Sequence, residues 1–159
     1  MTVKITLITL GTLKEDYVRR AVEDYKNRIG AYAEWEEINL KEEKLTDEAP
    51  ARVAAALEAE GERILSRLPK DAFSIALCVE GKQYTSEEFA AMLGEARDRG
   101  GKVCLVIGSS WGLSERVKKA CHVRLSLSKM TFPHQLMRVI LSEALYRAMT
   151  ILAGKKYHK

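Results

Sequence analysis

The chain has 159 residues with 26 basic and 22 acidic side chains, and 47% of its residues are hydrophobic. These values fit one globular domain that buries a core of its own, so we expect residues 1–159 to form a single domain. The longest uncharged apolar runs, residues 5–13 and 73–79, fall far short of the roughly 20 residues that a membrane-spanning helix needs. A membrane span is excluded, and the strand-like amino terminus indicates no secretory signal.

The cysteines limit the compartment and the chemistry. Cys78, Cys104 and Cys121 are odd in number and separated by 26 and 17 residues, spacings that fit neither a disulfide framework nor paired zinc ligands. Two of them lie inside apolar runs, where a free thiol acts as a small hydrophobic side chain. We therefore expect a cytoplasmic protein with no disulfide and no bound metal.

Charge is distributed unevenly along the chain. Residues 1–100 carry 15 basic and 20 acidic side chains, whereas residues 101–159 carry 11 and 2. Cations crowded in this way repel one another unless a polyanion neutralises them. The carboxyl-terminal part therefore indicates either a solvated basic surface or a site that binds RNA or DNA.

In the first half of the chain, the spacing of apolar residues changes from alternation to steps of three and four, which distinguishes strands from helices. Charged residues without periodicity predict an exposed loop at 41–48. The predicted elements are a strand over 3–10 that stops at Gly11, a helix from Leu13 to about Gly30, a strand over 35–40, and a helix from Pro50 to Pro69.

The second half continues the alternation of strands and helices, with a capping box predicted at Thr85 and Glu88. The predicted elements are a strand over 73–79, a turn at 80–82, a helix ending at Gly100-Gly101, a strand over 103–107, a short helix from Ser114 to Ala120, a strand over 123–127, and a helix from Pro133 to about Leu152.

Strands that alternate with helices predict an α/β fold, a mostly parallel sheet with helices on both faces. Ligands of such sheets bind beyond the carboxyl ends of the strands, which points to the loops at Glu80, Gly108 and Ser128. The last helix is apolar on more than one side. Because one of those sides would stay exposed in a monomer, we predict a homodimer.

Two nucleotide-binding motifs are absent. The first strand is followed by a single glycine, in Leu10-Gly11-Thr12-Leu13, where the dinucleotide-binding fingerprint G-x-G-x-x-G requires three. The loop at 108–112 lacks the Lys-Ser/Thr pair of a P-loop. The loop at 108–112 is either a plain turn or, together with residues 127–135, part of a site whose backbone amides bind an adenosine or a carboxylate. The second segment can also be an ordinary connection with a hydrophobic staple into the last helix.

Basic and titratable side chains follow in the last helix and the tail. His134 lies in the first helical turn with Arg138 one turn on and Arg147 beyond it, so these residues are candidates for acid-base chemistry, although a lone helical histidine also serves as a cap or a packing residue. The tail, Lys155-Lys156-Tyr157-His158-Lys159, suits phosphate contact with base stacking, or is a disordered basic end.

These segments together resemble a known family. The chain resembles the ribosomal RNA large subunit methyltransferase H family of SPOUT methyltransferases, and the likeness spans nearly the whole chain. The segments that carry it are Ile107-Gly108, Gly112-Leu113, residues 126–135, residues 137–139, Tyr146-Arg147-Ala148 and the terminal Tyr157-His158-Lys159. The resemblance implies S-adenosylmethionine as methyl donor and a homodimer with a C-terminal trefoil knot. It also implies an acceptor, N3 of a pseudouridine in helix 69 of 23S ribosomal RNA, reached on the assembled ribosome.

The resemblance also assigns residues. The base would be His134 or His158 of the partner subunit, with Glu143 as a fallback. Arg138, Arg147 and Lys159 would hold phosphates or stabilise the developing imide anion. RNA contacts would fall on Arg138, Arg147, Lys155, Lys156, Tyr157, His158 and Lys159. Donor contacts would fall on Leu77, Gly108, Leu127, Ser128, Lys129, Met130, Thr131 and Phe132.

The sequence departs from the family at one point, where another glycine usually follows Ile107-Gly108 but Ser109 and then Trp111 stand here. A side chain at 109 is costly if the loop needs a positive φ there. Two alternatives therefore stay open: a non-catalytic ribosome- or RNA-binding module that has lost donor affinity, and a knot methyltransferase that acts on another RNA nucleotide, such as one in transfer RNA.

Overall fold

The computed structural model describes residues 2–159 and contains strands and helices in strict alternation. The strands are β1 (Val3–Leu10), β2 (Ala33–Leu40), β3 (Phe73–Gln83), β4 (Lys102–Ile107) and β5 (Val123–Ser126). The helices are α1 (Asp16–Ile29), α2 (Pro50–Arg67), α3 (Ser86–Arg99), α4 (Glu115–Ala120) and α5 (His134–Leu152).

The strands form one sheet in the order β2-β1-β4-β3-β5, and every pair in it is parallel. Alternate side chains of β1 enter two separate cores: Ile5 and Leu7 pack beneath α1, α3 and α5, while Ile8 and Leu10 pack beneath α2 and α4. The predicted α/β fold with helices on both faces is therefore confirmed. The knot stays a prediction.

Local signals in the sequence define several helix ends. The Thr85 hydroxyl accepts a hydrogen bond from the Glu88 amide while the Glu88 carboxylate accepts one from the Thr85 amide, so the predicted capping box is present. The Ser114 hydroxyl caps α4 by accepting from the Val117 amide. Pro133 is the residue that precedes α5, which itself begins at His134.

The predicted turn at 80–82 is wrong, because β3 continues through Gln83. Its register against β5 shifts between Leu77 and Lys82, so residues 78–81 bulge out of the regular pairing before the strand rejoins β5. Gly81 permits this path: a Cβ there would lie 2.8 Å from backbone atoms of Arg124 and Leu125. The bulge turns residues 78–80 toward the carboxyl edge of the sheet.

Candidate active site

A cavity of about 720 Å³ opens at the carboxyl ends of the three neighbouring strands β4, β3 and β5. Its size lies within the roughly 300–1,000 Å³ that small-molecule sites occupy. Four segments form its walls: the β3 bulge, the loop after β4, the end of β5 with the residues after it, and the start of α5. They contribute residues 77–80, 107–113, 126–128, 131–134 and 137, together with Lys118.

The loop after β4 is a tight turn. The Gly112 amide donates to the Ser109 carbonyl at 2.9 Å, and Gly112 has a φ of 89°. At Gly108 a Cβ would lie 2.3 Å from the Gly112 carbonyl oxygen, so only glycine lets the two ends of the turn meet. We define residues 108–112 as the wall turn.

Ser109 fits the wall turn without strain, because no residue other than glycine has a positive φ among residues 2–159. Its hydroxyl is buried and donates to Glu60 Oε1 at 2.7 Å. The cost expected for the departure from the family at this position is therefore absent. Trp111, the second departure, is half-buried and lines the cavity.

The structure brings six of the eight predicted donor-contact residues to the cavity. Lys129 and Met130 are exposed instead, and Met130 retains 71% of its surface. Two hydrogen bonds shape this segment: the Ser126 hydroxyl donates to the Ser128 carbonyl, and the Met130 amide donates to the Ser128 hydroxyl. The six lining residues are Leu77, Gly108, Leu127, Ser128, Thr131 and Phe132.

His134 lines the same cavity as the first residue of α5. Burial, reinforced by the Arg138 guanidinium one turn away, holds the pKa of the imidazole below its ordinary value, whereas the Glu42 carboxylate acts in the opposite sense. A lowered pKa keeps the imidazole neutral at physiological pH. His134 is thus able to accept a proton.

Arg138 lies beneath the surface with a side chain that is 3% exposed. Its Nη2 donates to the carbonyls of Leu10 and Gly11 at 2.7 and 2.6 Å, and its Nη1 lies 3.8 Å from Glu37 Oε1. The guanidinium therefore joins the carboxyl end of β1 to α5. An RNA phosphate would have to displace these carbonyls to reach it.

The tail packs on its own chain, away from this cavity. Arg147 donates from Nε to Glu143 at 2.8 Å, and its guanidinium lies over the Tyr157 ring. The Tyr157 hydroxyl donates to Glu143 at 2.5 Å, and His158 Nε2 lies 2.7 Å from Glu87 Oε1. Arg147 lines a second cavity of about 350 Å³, so the arginine and the two tail residues do not meet His134 within one chain.

Some cationic side chains of residues 101–159 form ion pairs, and others do not. Six of its 11 cationic side chains form ion pairs with carboxylates. The other five, all exposed, have no such pair within the part of the chain that the structure describes: Lys119, Lys129, Lys155, Lys156 and Lys159.

Sequence reasoning missed two features of the site. The predicted strand over 73–79 and turn at 80–82 did not include a bulge at residues 78–80, because a register shift between parallel strands leaves no signal in the sequence. Glu60, which holds Ser109, was also missed. Its signal was available, because Ala56, Glu60 and Ile64 follow one another at helical spacing on the apolar side of α2.

All three cysteines are free thiols. Burial raises the pKa of Cys104 to about 12, as expected for a thiol that acts as a core side chain. Residues 2–159 contain no group of three or more metal-ligating side chains, and none of their helices is long and apolar enough to cross a membrane.

Comparison with known proteins gives extensive matches. The family model described as predicted SPOUT methyltransferase matches residues 3–158. The ribosomal RNA large subunit methyltransferase H of Bifidobacterium adolescentis is 47% identical over 158 residues, which cover 98% of this chain and 99% of that protein. The protein of the same name from Bacillus pumilus is 45% identical over 157 residues, with the same coverage of both chains.

Solved structures share the fold at low sequence identity. A probable methylase family protein from Haemophilus influenzae Rd KW20 has a TM-score of 0.54 at 15% identity, over 99% of this chain and 70% of that one. A probable methyltransferase from Bordetella pertussis Tohama I has a TM-score of 0.55 at 16% identity, over 92% and 95%. With the family model and the curated relatives matching almost every residue, the chain belongs to the SPOUT methyltransferases, in the ribosomal RNA large subunit methyltransferase H family.

Proposed function

We propose that the chain acts as one SPOUT domain that transfers a methyl group from S-adenosylmethionine to N3 of a pseudouridine in helix 69 of 23S ribosomal RNA. The assembled ribosome in the cytoplasm is the proposed substrate. The observation that carries this proposal is the cavity at the carboxyl ends of β3, β4 and β5, whose walls contain the wall turn and residues 126–128 and 131–134. The names of the relatives support the choice of ribosomal RNA.

The cavity fits a methyl donor of this kind. Backbone groups of the wall turn and of residues 126–128 offer donors and acceptors for an adenosine and a carboxylate, and Leu77 and Phe132 supply an apolar surface. Bound there, S-adenosylmethionine supplies an electrophilic methyl group. We propose Leu77, Gly108, Leu127, Ser128, Thr131 and Phe132 as its contacts, with Lys129 and Met130 reaching it only after the loop moves. The trefoil knot is part of the proposed fold of this site.

The acceptor chemistry requires a base, because an imide N3–H is a poor nucleophile until its proton is removed or shared. We propose His134 for this role, since its imidazole lines the cavity and its pKa is lowered by burial. Arg138 is proposed as a positioning residue: its hydrogen bonds to the Leu10 and Gly11 carbonyls hold the start of α5, and therefore His134, against the end of β1. His158 of the partner subunit and Glu143 are the alternative bases.

A homodimer suits the composition of α5. Leu136 is 36% exposed, and Val139 and Ile140 are half-buried beside the second cavity. A second subunit would cover these apolar side chains and would place a second tail near the first cavity. In that arrangement Arg147, Tyr157 and His158, with the exposed tail lysines, contact RNA.

The test is methyl transfer from radiolabelled S-adenosylmethionine to three substrates in parallel: intact ribosomes, naked large-subunit RNA and transfer RNA. The labelled nucleotide is then mapped by mass spectrometry. Label on a pseudouridine of helix 69 in ribosomes, with far less in naked RNA, supports the proposal. Label in transfer RNA favours a different acceptor, and no label on any RNA favours a non-catalytic binding module.

A further inference from the structure

Glu60 is a buried carboxyl group in the middle of α2, with 1% of its surface exposed. Its Oε1 accepts the Ser109 hydroxyl at 2.7 Å, and its Oε2 accepts the Glu43 amide at 2.8 Å. An apolar side chain would fill the same place at a lower desolvation cost. The contribution of the carboxyl group must therefore lie in the two hydrogen bonds that it accepts.

The first hydrogen bond holds the wall turn. Besides donating to Glu60, the Ser109 hydroxyl accepts the Trp111 amide at 3.3 Å, while the Ser109 carbonyl accepts the Gly112 amide at 2.9 Å. The hydroxyl thus links the wall turn to α2, which carries Glu60. Any movement of Ser109 changes the wall that the turn presents to a ligand.

The second hydrogen bond holds the segment 41–43. Arg63 fixes the same segment by donating to the Lys41 carbonyl at 3.0 Å and to the Glu43 carboxylate at 2.9 Å. The adjacent Glu42 carboxylate lies against Gly11, where a Cβ would come within 2.7 Å of it. Glu60 therefore connects the wall turn with the segment that packs on the end of β1.

We propose that Glu60 is a positioning residue for donor binding, which acts through Ser109 to fix the wall turn in the shape that the donor requires. The inference rests on the proposed function, because it assumes that the cavity binds S-adenosylmethionine. Burial, with the Glu42 carboxylate, raises the pKa of Glu60, whereas the hydrogen bonds from the Glu43 amide and the Ser109 hydroxyl, with Arg63, act in the opposite sense.

The test uses Ser109→Ala, which removes the hydroxyl and leaves the rest of the turn intact. Loss of one hydrogen bond to a carboxylate predicts donor binding about fivefold to fiftyfold weaker by isothermal titration calorimetry. In steady-state assays the KM for the donor rises by the same factor, with kcat and the KM for ribosomes unchanged. The matched control is Ser66→Ala, which removes an exposed hydroxyl bonded to the Arg63 carbonyl, remote from the cavity.

A double-mutant cycle tests whether Glu60 acts through Ser109. Glu60→Leu should weaken donor binding, and adding Ser109→Ala to it should cause no further loss. Glu60→Gln should retain most of the affinity, because the glutamine oxygen can accept the Glu43 amide while its NH2 donates to the Ser109 oxygen. Additive losses would overturn the inference. If Glu60→Leu does not fold, the single variants Ser109→Ala and Glu60→Gln carry the test: the first should weaken donor binding, and the second should retain most of it.

Hydrogen exchange of the free protein separates failure of this inference from failure of the proposed function. Ser109→Ala should speed amide exchange at Trp111 and Gly112 about fivefold or more without any donor present. Unchanged exchange, or wild-type donor affinity in this variant, overturns the inference. If Ser109→Ala exchanges faster but the wild-type protein binds no S-adenosylmethionine, the proposed function is overturned, and the role of Glu60 in donor binding with it.

Discussion

Gly108→Ala is the substitution that the geometry of the cavity predicts most sharply. The added Cβ would lie 2.3 Å from the Gly112 carbonyl oxygen and 2.6 Å from its carbonyl carbon. Both atoms belong to the backbone, so no rotation of a side chain can relieve the overlap. The Gly112 peptide must move by roughly 0.7 Å to restore a separation of 3.0 Å, and that movement breaks the Ser109–Gly112 bridge.

The expected magnitude follows from this overlap. Overpacking of this kind costs about 1–3 kcal/mol, which lowers the melting temperature by about 3–10 °C in a chain of this length. The displaced turn forms one wall of the cavity, so donor binding should weaken by much more than the stability loss alone explains. We expect at least a tenfold increase in the donor Kd.

The assay combines calorimetric titration of S-adenosylmethionine with thermal denaturation of the free protein. The control is Gly100→Ala, at a residue with an extended φ of 177° where an added Cβ meets no atom within 4 Å. It should leave both the donor Kd and the melting temperature nearly unchanged. Wild-type donor affinity in a folded Gly108→Ala variant would refute the proposal that the wall turn contacts the donor.

Three further predictions concern the site. His134→Ala should lower kcat about 10²- to 10⁴-fold with little change in donor Kd. The wild-type rate should fall only at a pH below the ordinary pKa of a histidine, because the lowered pKa of His134 keeps the imidazole neutral to a more acidic pH. Arg138→Met should reduce the free energy of unfolding, measured in urea, by about 2–4 kcal/mol, because the Leu10 and Gly11 carbonyls lose their donor. Neutralising the tail lysines should raise the KM for ribosomes, flatten its salt dependence and leave donor binding intact; the residues to change are Lys155, Lys156 and Lys159.

Much of the fold could be predicted from the sequence because its local signals agree with the global arrangement. Alternation in residues 3–10 predicted strand β1, and the capping box at Thr85 marked the start of α3. The position of the cavity followed from a general rule, since the loops after parallel strands meet at one edge of the sheet. These inferences need only the spacing of apolar residues within each strand or helix and the identity of the residues at its ends.

The remaining features depend on contacts between distant residues. Nothing near Glu80 in the sequence distinguishes a turn from a bulged strand, because the bulge is stabilised by its register against β5. Arg138 resembles a phosphate-binding arginine until the structure places the carbonyls of Leu10 and Gly11 against its guanidinium. Both His134 and His158 were candidates for the base in the sequence. In the structure of one chain, His134 lines the cavity, whereas His158 lies against Glu87.

The most direct test of the account is a crystal structure of the protein with S-adenosylhomocysteine, the demethylated form of the donor. The account predicts a homodimer with the ligand in the cavity at the ends of β3, β4 and β5, its adenosine against backbone groups of the wall turn and of residues 126–128. His134 should face the sulfur side of the ligand. Ligand bound at another site, or a cavity that stays empty at millimolar ligand, would contradict the central claim.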